Sequence, residues 1–184
     1  HESDCPAFYL QSNDIRQVEA VTGVDSGNAL RSRSVRSATP SVSSQPVADD
    51  MSPQTLRARW LTPEGYAARD AFIRELRGNR DWREAIRSVV DPTVADGCDL
   101  RGIDLSGFDL RGCELSYVAG DYATFDGADL RETNFQNSAL SRSRFLRANL
   151  HGAQFVQVHA PESIFNGADF GDSFAMCSNF TSAS

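Results

Sequence analysis

The chain has 184 residues, of which 40% are hydrophobic, and 25 acidic residues against 18 basic ones give it a net charge of −7. This length allows one main hydrophobic core with a small accessory element. The negative charge disfavours direct binding to nucleic acid, which needs a concentrated positive surface. No run approaches the roughly 18 apolar residues of a membrane-spanning helix, so no membrane span is predicted.

The first 50 residues change in composition along their length. Cys5-Pro6-Ala7-Phe8-Tyr9-Leu10 is the one compact apolar run near the start, and serine and proline predominate from Gly23 to about Asp50. A segment so poor in large apolar side chains cannot bury enough surface to offset its conformational entropy. We therefore predict that residues 1–50 are largely a disordered linker.

Helix signals follow in residues 51–92. Ser52-Pro53 and Thr62-Pro63 each place a capping residue before a proline, which is typical of a helix start. Apolar residues then recur at near-helical spacing, namely Leu56, Trp60, Tyr66, Phe72, Ile73, Leu76, Trp82, Ile86, Val89 and Val90, until Pro92. We predict an amphipathic helical cap whose apolar stripes make core or cap contacts. A partner-binding groove on these helices is the alternative.

A period of five residues runs from about Cys98 to the end of the chain. Leucine or phenylalanine recurs at Leu100, Leu105, Leu110, Leu115, Phe125, Leu130, Phe135, Leu140, Phe145, Leu150, Phe155, Phe165, Phe170 and Phe180. A second, mostly small series lies two residues earlier in each unit, from Cys98 to Ser178. A five-residue period fits neither an α-helix nor a straight strand, so the chain must bend once per repeat. We predict that residues 93–184 form a β-solenoid with both series in its core.

Several repeats resemble a known family. Ala128-Asp129-Leu130-Arg131-Glu132 and Ala168-Asp169-Phe170-Gly171-Asp172 are similar to the A-(D/N)-(L/F)-x-x units of the pentapeptide-repeat family. The resemblance covers residues 98–184 and implies a right-handed quadrilateral β-helix of about four coils. With four sides, residues twenty apart stack on one another.

This stacking predicts one candidate binding surface and no catalytic one. Asp109, Asp129 and Asp169 fall in one outward column, and Arg111 and Arg131 fall in another two residues away. They predict either a binding strip or a solvated, charge-alternating face. His151 and His159 have no carboxylate or cysteine at the spacing of a triad or metal site. The cysteines are scattered, so neither a disulfide framework nor a cofactor or metal site is predicted.

The leading functional hypothesis is a non-catalytic scaffold for protein–protein interaction in the bacterial cytoplasm, with a partner that the sequence does not identify. The resemblance also implies an alternative, a DNA mimic that protects gyrase or topoisomerase IV from quinolones. A further alternative is the non-catalytic N-terminal part of a secreted bacterial effector. No cap is visible after Phe180, which predicts either that the chain is a fragment of a longer protein or that it forms a homodimer through an open C-terminal end.

Overall fold

The computed structural model of the chain describes residues 7–10, 52–91 and 93–184. The elements in chain order are β1 (Ala7–Leu10), α1 (Pro53–Ala58), a 3-10 turn (Arg59–Leu61), α2 (Pro63–Arg77), α3 (Arg83–Ile86), a second tight turn (Val94–Gly97), β2 (Gln154–Val156) and β3 (Ser173–Met176). The predicted disordered stretch lies outside the described residues except for β1, and so does Pro92.

The first two helices begin where the sequence places them. The Ser52 hydroxyl accepts a hydrogen bond from the Thr55 amide at 3.2 Å, and the Thr62 hydroxyl accepts one from the Gly65 amide at 2.9 Å. These caps satisfy amide groups that have no partner inside a helix. The third predicted helix is short, because only Arg83–Ile86 is helical, although Trp82, Ile86 and Val90 are all buried.

The repeat region pairs with itself at a spacing of twenty residues. Parallel bridges join Asp99 to Ala119, and the pattern continues to the bridge between His159 and Asn179. The Leu100 amide donates to the Ala119 carbonyl at 2.7 Å, and the Ala119 amide donates to the Cys98 carbonyl at 3.0 Å. Each turn of the coil therefore takes four repeats, which confirms the predicted stacking of residues twenty apart.

One residue in each repeat turns the chain in the left-handed backbone region. Positive φ angles recur every fifth residue, from Gly102 at 73° to Ser182 at 58°. Six of these positions are glycine, and eleven carry a side chain, for example Tyr117 and Arg142. The left-handed conformation costs a residue with a side chain about 1–2 kcal/mol. The ladder therefore imposes this turn on residues that do not favour it.

The Leu and Phe series forms the core of the coils. All fourteen predicted core residues, Leu100 to Phe180, are at most 5% exposed. The Phe145 ring stacks on Phe125 and on Phe165 with ring centroids 4.7 Å apart in both cases. Phe135 and Phe155 stack in a second column at 5.4 Å. The twenty-residue register therefore builds phenylalanine stacks inside the coil.

The small series lies beside these side chains, and its polar members are satisfied. The Thr133 hydroxyl donates to the Leu110 carbonyl at 2.9 Å, and the Ser138 hydroxyl donates to the Leu115 carbonyl at 2.8 Å. A buried hydroxyl needs such a partner to offset its lost hydration. Phe108 is the bulky member of the series and is only partly buried.

The helices pack on the first coil. Trp60 donates its indole N–H to the Arg101 carbonyl at 2.9 Å, and Arg59 donates to both carboxylate oxygens of Asp99 at 2.7 and 2.8 Å. The buried side chains of the helices and of the coils form one continuous hydrophobic cluster.

β1 lies at the other end of the coils. The three strands form a sheet in the order β1-β3-β2, in which β1 is antiparallel to β3 and β2 is parallel to β3. Sequence reasoning singled out the apolar run around Ala7–Leu10 but did not assign it a structure. Its pairing partner lies more than 160 residues away, beyond the reach of any local pattern.

Candidate functional site

The residues of the candidate binding strip stack in a column along the coils. Bridges connect Asp109 to Asp129, Asp129 to Asn149, and Asn149 to Asp169. The backbone ladder fixes the spacing of these side chains at roughly 4.8 Å per coil. The structure thus brings Asp109 and Asp129 together and places Asp169 two coils beyond Asp129.

Each of the first two acids in the column is held by an arginine of its own repeat. Arg111 donates through Nε and Nη2 to the two Asp109 oxygens, both at 2.9 Å. Arg131 repeats the arrangement on Asp129 at 2.8 and 2.6 Å. Arg111 also lies 3.5 Å from Asp129, so the two pairs are joined across the coils. Bidentate pairs of this kind are the strongest form of arginine–carboxylate interaction.

These contacts control the charge of the strip. Hydrogen bonds from Arg111 lower the pKa of Asp109 to about 2, and hydrogen bonds from Arg131 lower the pKa of Asp129. Both carboxylates are therefore ionised at neutral pH, and both are neutralised by a bound guanidinium. This part of the column is a row of alternating charges and not a continuous acidic face.

The strip meets the helices at a polar cleft of about 450 Å³. Arg77 from the end of α2 reaches Asp109 at 3.6 Å, and Cys113 and Glu132 complete the lining with the strip residues. Both charges are present here in similar numbers, so the cleft favours no simple anion or cation.

A second cleft, of about 460 Å³, lies between the helices and the coils. Trp60, Leu61 and Tyr66 line its helical wall, and Thr124 and Asp126 lie among the residues of its coil wall. Leu61 is 62% exposed and Tyr66 is 43% exposed. The prediction that Tyr66 belongs to a core-facing stripe is wrong, because its side chain lies exposed in this cleft, whereas Phe72, Ile73 and Leu76 of α2 are buried.

Arginines surround the aromatic side chains of this second cleft. Arg69 lies over the rings of Tyr66 and Phe108, with 5.2 and 5.6 Å from its guanidinium carbon to the ring centroids. Arg144 is bound to Asp126 at 2.6 Å. Arg57 is exposed and forms no ion pair with any described residue. The cleft therefore combines an apolar surface with an unpaired positive charge. The sequence offered a partner-binding groove on these helices as an alternative, but it did not locate this cleft, which forms where the helices meet the coils.

His151 and His159, the histidines among the described residues, do not belong to a cluster of metal ligands. His151 is 3.2 Å from Asp172, and His159 lies 3.5 Å from the Asn179 amide. Within the described residues, no group of three or more His, Cys, Asp or Glu side chains could hold a metal ion. In the same part of the chain, no helix is both long and apolar enough to cross a membrane.

Three cysteines lie in the described part of the repeats, and they differ in their bonding. Cys98 and Cys113 are free and buried, and burial raises the pKa of Cys113, which keeps it a thiol. Cys177, however, is disulfide-bonded. The scattered cysteines predict no disulfide framework, and the spacing gave no indication that Cys177 is bonded. Spacing along the sequence was a poor guide, because the fold brings distant segments together.

The repeats also match a known family. The family model described as pentapeptide repeats matches residues 96–119 and 123–159 in eight copies. This part of the chain consists of pentapeptide repeats. The match lies within the region whose twenty-residue register forms the coils described above. No curated protein matches the chain.

Solved structures of several proteins resemble part of this chain. QnrB1, a plasmid-mediated fluoroquinolone resistance protein, is 26% identical over 47% of this chain and 45% of its own, with a TM-score of 0.33. Rfr23 from the cyanobacterium Cyanothece 51142 is 22% identical over 47% of this chain and 58% of its own, with a TM-score of 0.26. A thylakoid-lumen protein from Arabidopsis thaliana is 21% identical over 46% and 62%, with a TM-score of 0.27. This chain therefore spans less than half the length of QnrB1.

Proposed function

We propose that this pentapeptide-repeat protein is a non-catalytic scaffold that binds another protein at the cleft between its helices and its coils. In this proposal, residues 93–184 form a right-handed quadrilateral β-helix, and residues 51–92 form the cap at its first coil. The observation that carries the proposal is the exposed pair of Leu61 and Tyr66 beside a cleft of about 460 Å³.

The rigidity of the coils supports a binding function. Ladder hydrogen bonds fix the backbone on both sides of each inner coil, as in the bonds of Thr124 to Ile103 and of Phe125 to Arg144 at 2.8 and 2.7 Å. A surface that is already ordered loses little conformational entropy when a partner binds. The coil wall of the cleft is therefore preorganised.

The helical wall provides the side chains that usually anchor a protein interface. Tyrosine and arginine are enriched among the residues that contribute most to binding, and a large exposed apolar side chain beside them adds buried area. Tyr66, Leu61 and Arg57 are of these types. Arg57 favours a partner that presents a carboxylate beside an apolar side chain, because that carboxylate would complete its missing ion pair.

The test is a capture experiment with matched variants of the full chain. Wild type, a Leu61→Ser/Tyr66→Ser double variant and Tyr117→Ser would each be used to capture proteins from extract of the source cells. Tyr117 is the matched control, since it is 60% exposed but lies on the coils away from the cleft. A partner retained by wild type and Tyr117→Ser but lost with the double variant supports the proposal. A partner that the double variant binds equally well contradicts it.

The DNA-mimic hypothesis makes a different prediction, and the strip geometry disfavours it. A mimic of duplex DNA needs unpaired negative charges in a row, whereas Asp109 and Asp129 are each bound by an arginine. We therefore expect no effect of the purified chain on gyrase supercoiling, with or without ciprofloxacin. Inhibition or drug protection at micromolar protein would favour the DNA mimic over the scaffold.

A further inference from the structure

The second cleft opens onto one face of the coils, and that face continues beyond the cleft. Parallel bridges join Asp104, Thr124, Arg144 and Ile164 in a single column. The first three of these residues line the cleft, and Ile164 extends the column by one coil. We call the side of the coils that carries this column the cleft face. Ile164 lies about 5 Å beyond Arg144 along the coils, because neighbouring strands of a ladder have that spacing.

Two outward side chains of the cleft face are apolar. The Leu146 amide donates to the carboxylate of Asp126 at 3.0 Å, and Asp126 lines the cleft, so Leu146 adjoins the cleft. Leu146 and Ile164 are both half-buried. A partner that covers such side chains removes them from water, which favours association. The corresponding positions in the other coils are polar, namely Asp104, Ser106, Thr124, Asp126, Arg144 and Asn166.

Arg147 adds an unpaired positive charge beside these two side chains. It is exposed and forms no ion pair with any described residue. Its neighbours in the coils before and after are Gly127 and Gly167, so neither has a side chain that could bind the guanidinium. Arg142 in the same coil differs, because Glu162 of the next coil accepts its Nε hydrogen bond at 2.9 Å.

The carboxylates of the cleft face lie at the other end of it. Asp126 is bound by Arg144 at 2.6 Å, and Asp104 accepts a hydrogen bond from the Ser106 hydroxyl at 2.6 Å. In the coils that carry Leu146 and Ile164, the described residues of this face include no acid. This part of the face is therefore apolar and positively charged, and it complements an apolar, acidic surface.

We infer that Leu146, Arg147 and Ile164, which we call the coil patch, form a second anchor for the protein that the cleft binds. The inference rests on the proposed function. The coil patch repeats the chemistry of the helical wall of the cleft, where exposed apolar side chains lie beside the unpaired Arg57. The partner that fits both is a protein segment that presents an apolar side chain with a carboxylate beside it at two points.

The distance between the two anchors sets the spacing in the partner. The cleft includes coil residues such as Asp104 and Thr124, and the coil patch lies about two coils further along, which is roughly 10 Å at the ladder spacing. A polyproline II segment rises about 3.1 Å per residue with three residues per turn, so side chains three residues apart point the same way about 9 Å apart. The expected segment is therefore extended, with its apolar and acidic pairs three residues apart.

A fluorescence anisotropy titration of the full chain with two synthetic peptides tests the inference. One peptide carries two leucine–glutamate pairs three residues apart in a proline-containing sequence, and the other has serine and glutamine in place of the second pair. We expect wild type to bind the two-pair peptide about tenfold more tightly, because the second contact forms within the complex. Leu146→Ser/Arg147→Gln should abolish this advantage. Its affinity for the single-pair peptide should stay unchanged, which also shows that the variant is folded.

Two further variants separate the coil patch from general charge and from the cleft. Arg111→Gln is the matched control, because it also removes one charge from an exposed arginine but lies on the face of the strip, and it should keep the tenfold advantage. Leu61→Ser/Tyr66→Ser should weaken the binding of both peptides, since these side chains belong to the cleft. Unchanged affinities in that variant would contradict the proposed cleft.

Three results of the titration would overturn the coil patch as an anchor. These are equal affinity of wild type for the two peptides, an advantage that survives in Leu146→Ser/Arg147→Gln, and no binding of either peptide. In each case the cleft itself is still judged by the capture experiment. Sedimentation velocity tests a different occupant, because self-association of wild type that Leu146→Ser/Arg147→Gln abolishes would assign the patch to a second copy of the chain and overturn the inference as well.

Discussion

The phenylalanine stack shows what a single residue contributes to the coils. Phe145 is fully buried between Phe125 and Phe165, and its ring meets the edge of Phe135 at 6.1 Å. We expect Phe145→Ala to lower the free energy of unfolding by about 3–5 kcal/mol, because it leaves a cavity and removes two stacking contacts. Denaturant unfolding followed by circular dichroism measures this loss. Phe108→Ala is the control, since Phe108 is only partly buried and should lose much less.

Asp99 is the residue at which pH should act on stability. Burial raises the pKa of Asp99, but hydrogen bonds from Arg59 and Arg101 outweigh that effect and bring it from 3.8 to about 2. A lowered pKa in the folded state means that the ionised carboxylate stabilises the fold above about pH 4. That stabilisation, about 2 kcal/mol, should disappear as the pH falls from about 4 to 2.

The measurement compares wild type with Asp99→Asn in urea unfolding between pH 7 and pH 2. The advantage of wild type should be largest at neutral pH and should shrink below pH 4. Asp109→Asn is the matched control, because the pKa of Asp109 is also about 2 but its side chain is 36% exposed. Solvent screens that pair, so its variant should show a smaller, salt-sensitive change. A wild-type advantage that does not vary with pH would contradict the role of the Asp99 charge.

Two glycines of the repeats share a left-handed backbone conformation, but only one of them lies against the helices. Gly102 and Gly107 have φ angles of 73° and 71°, but an added Cβ at Gly102 would lie 2.8 Å from the Leu56 backbone, whereas the one at Gly107 meets nothing within 4 Å. Both alanine variants carry the cost of a left-handed residue, about 1–2 kcal/mol. We expect Gly102→Ala to cost clearly more, because it also pushes α1 off the coil.

Tryptophan fluorescence can show whether the extra destabilisation in Gly102→Ala affects the helices. The two tryptophans, Trp60 and Trp82, both lie in the helical part, and both are buried. In Gly102→Ala their emission should shift to the red and their thermal transition should move down, while Gly107→Ala should keep the wild-type spectrum. Identical spectra for the two variants would show that the helices do not depend on this contact.

Local sequence patterns predicted the helix starts and the repeat stacking, but they did not predict which distant segments pair. The helix starts at Pro53 and Pro63 follow from capping residues, and the stacking of residues twenty apart follows from the repeat and its family resemblance. The pairing of β1 with β3 has no local signature, since it depends on contact between distant segments. The exposure of Tyr66 depends on which side of α2 meets the coil, and helical spacing alone does not determine that side.

In the part of the chain that the structure describes, the two ends of the repeat region are covered by different elements. At the first coil, helices contribute Trp60, Phe72 and Ile86 to the continuous core. At the last coil, β1 contributes backbone pairing to one face through β3. Because each coil contacts only its neighbours, stability depends on how each end is covered. The predicted homodimer through the C-terminal end therefore competes with β1 for the edge of β3.

This competition leads to a prediction about self-association. We expect the full chain in oxidising buffer to sediment as a monomer, and a variant lacking residues 1–10 to associate, because the uncovered edge of β3 can pair with another copy. Sedimentation velocity over a range of concentrations measures both. Cys177→Ser in the full chain is the control that removes the disulfide but keeps the strand, and it should associate less than the deletion. If the deletion variant stays monomeric at every concentration, the edge of β3 is not the surface that limits assembly, and the end of the coil is closed by its own side chains.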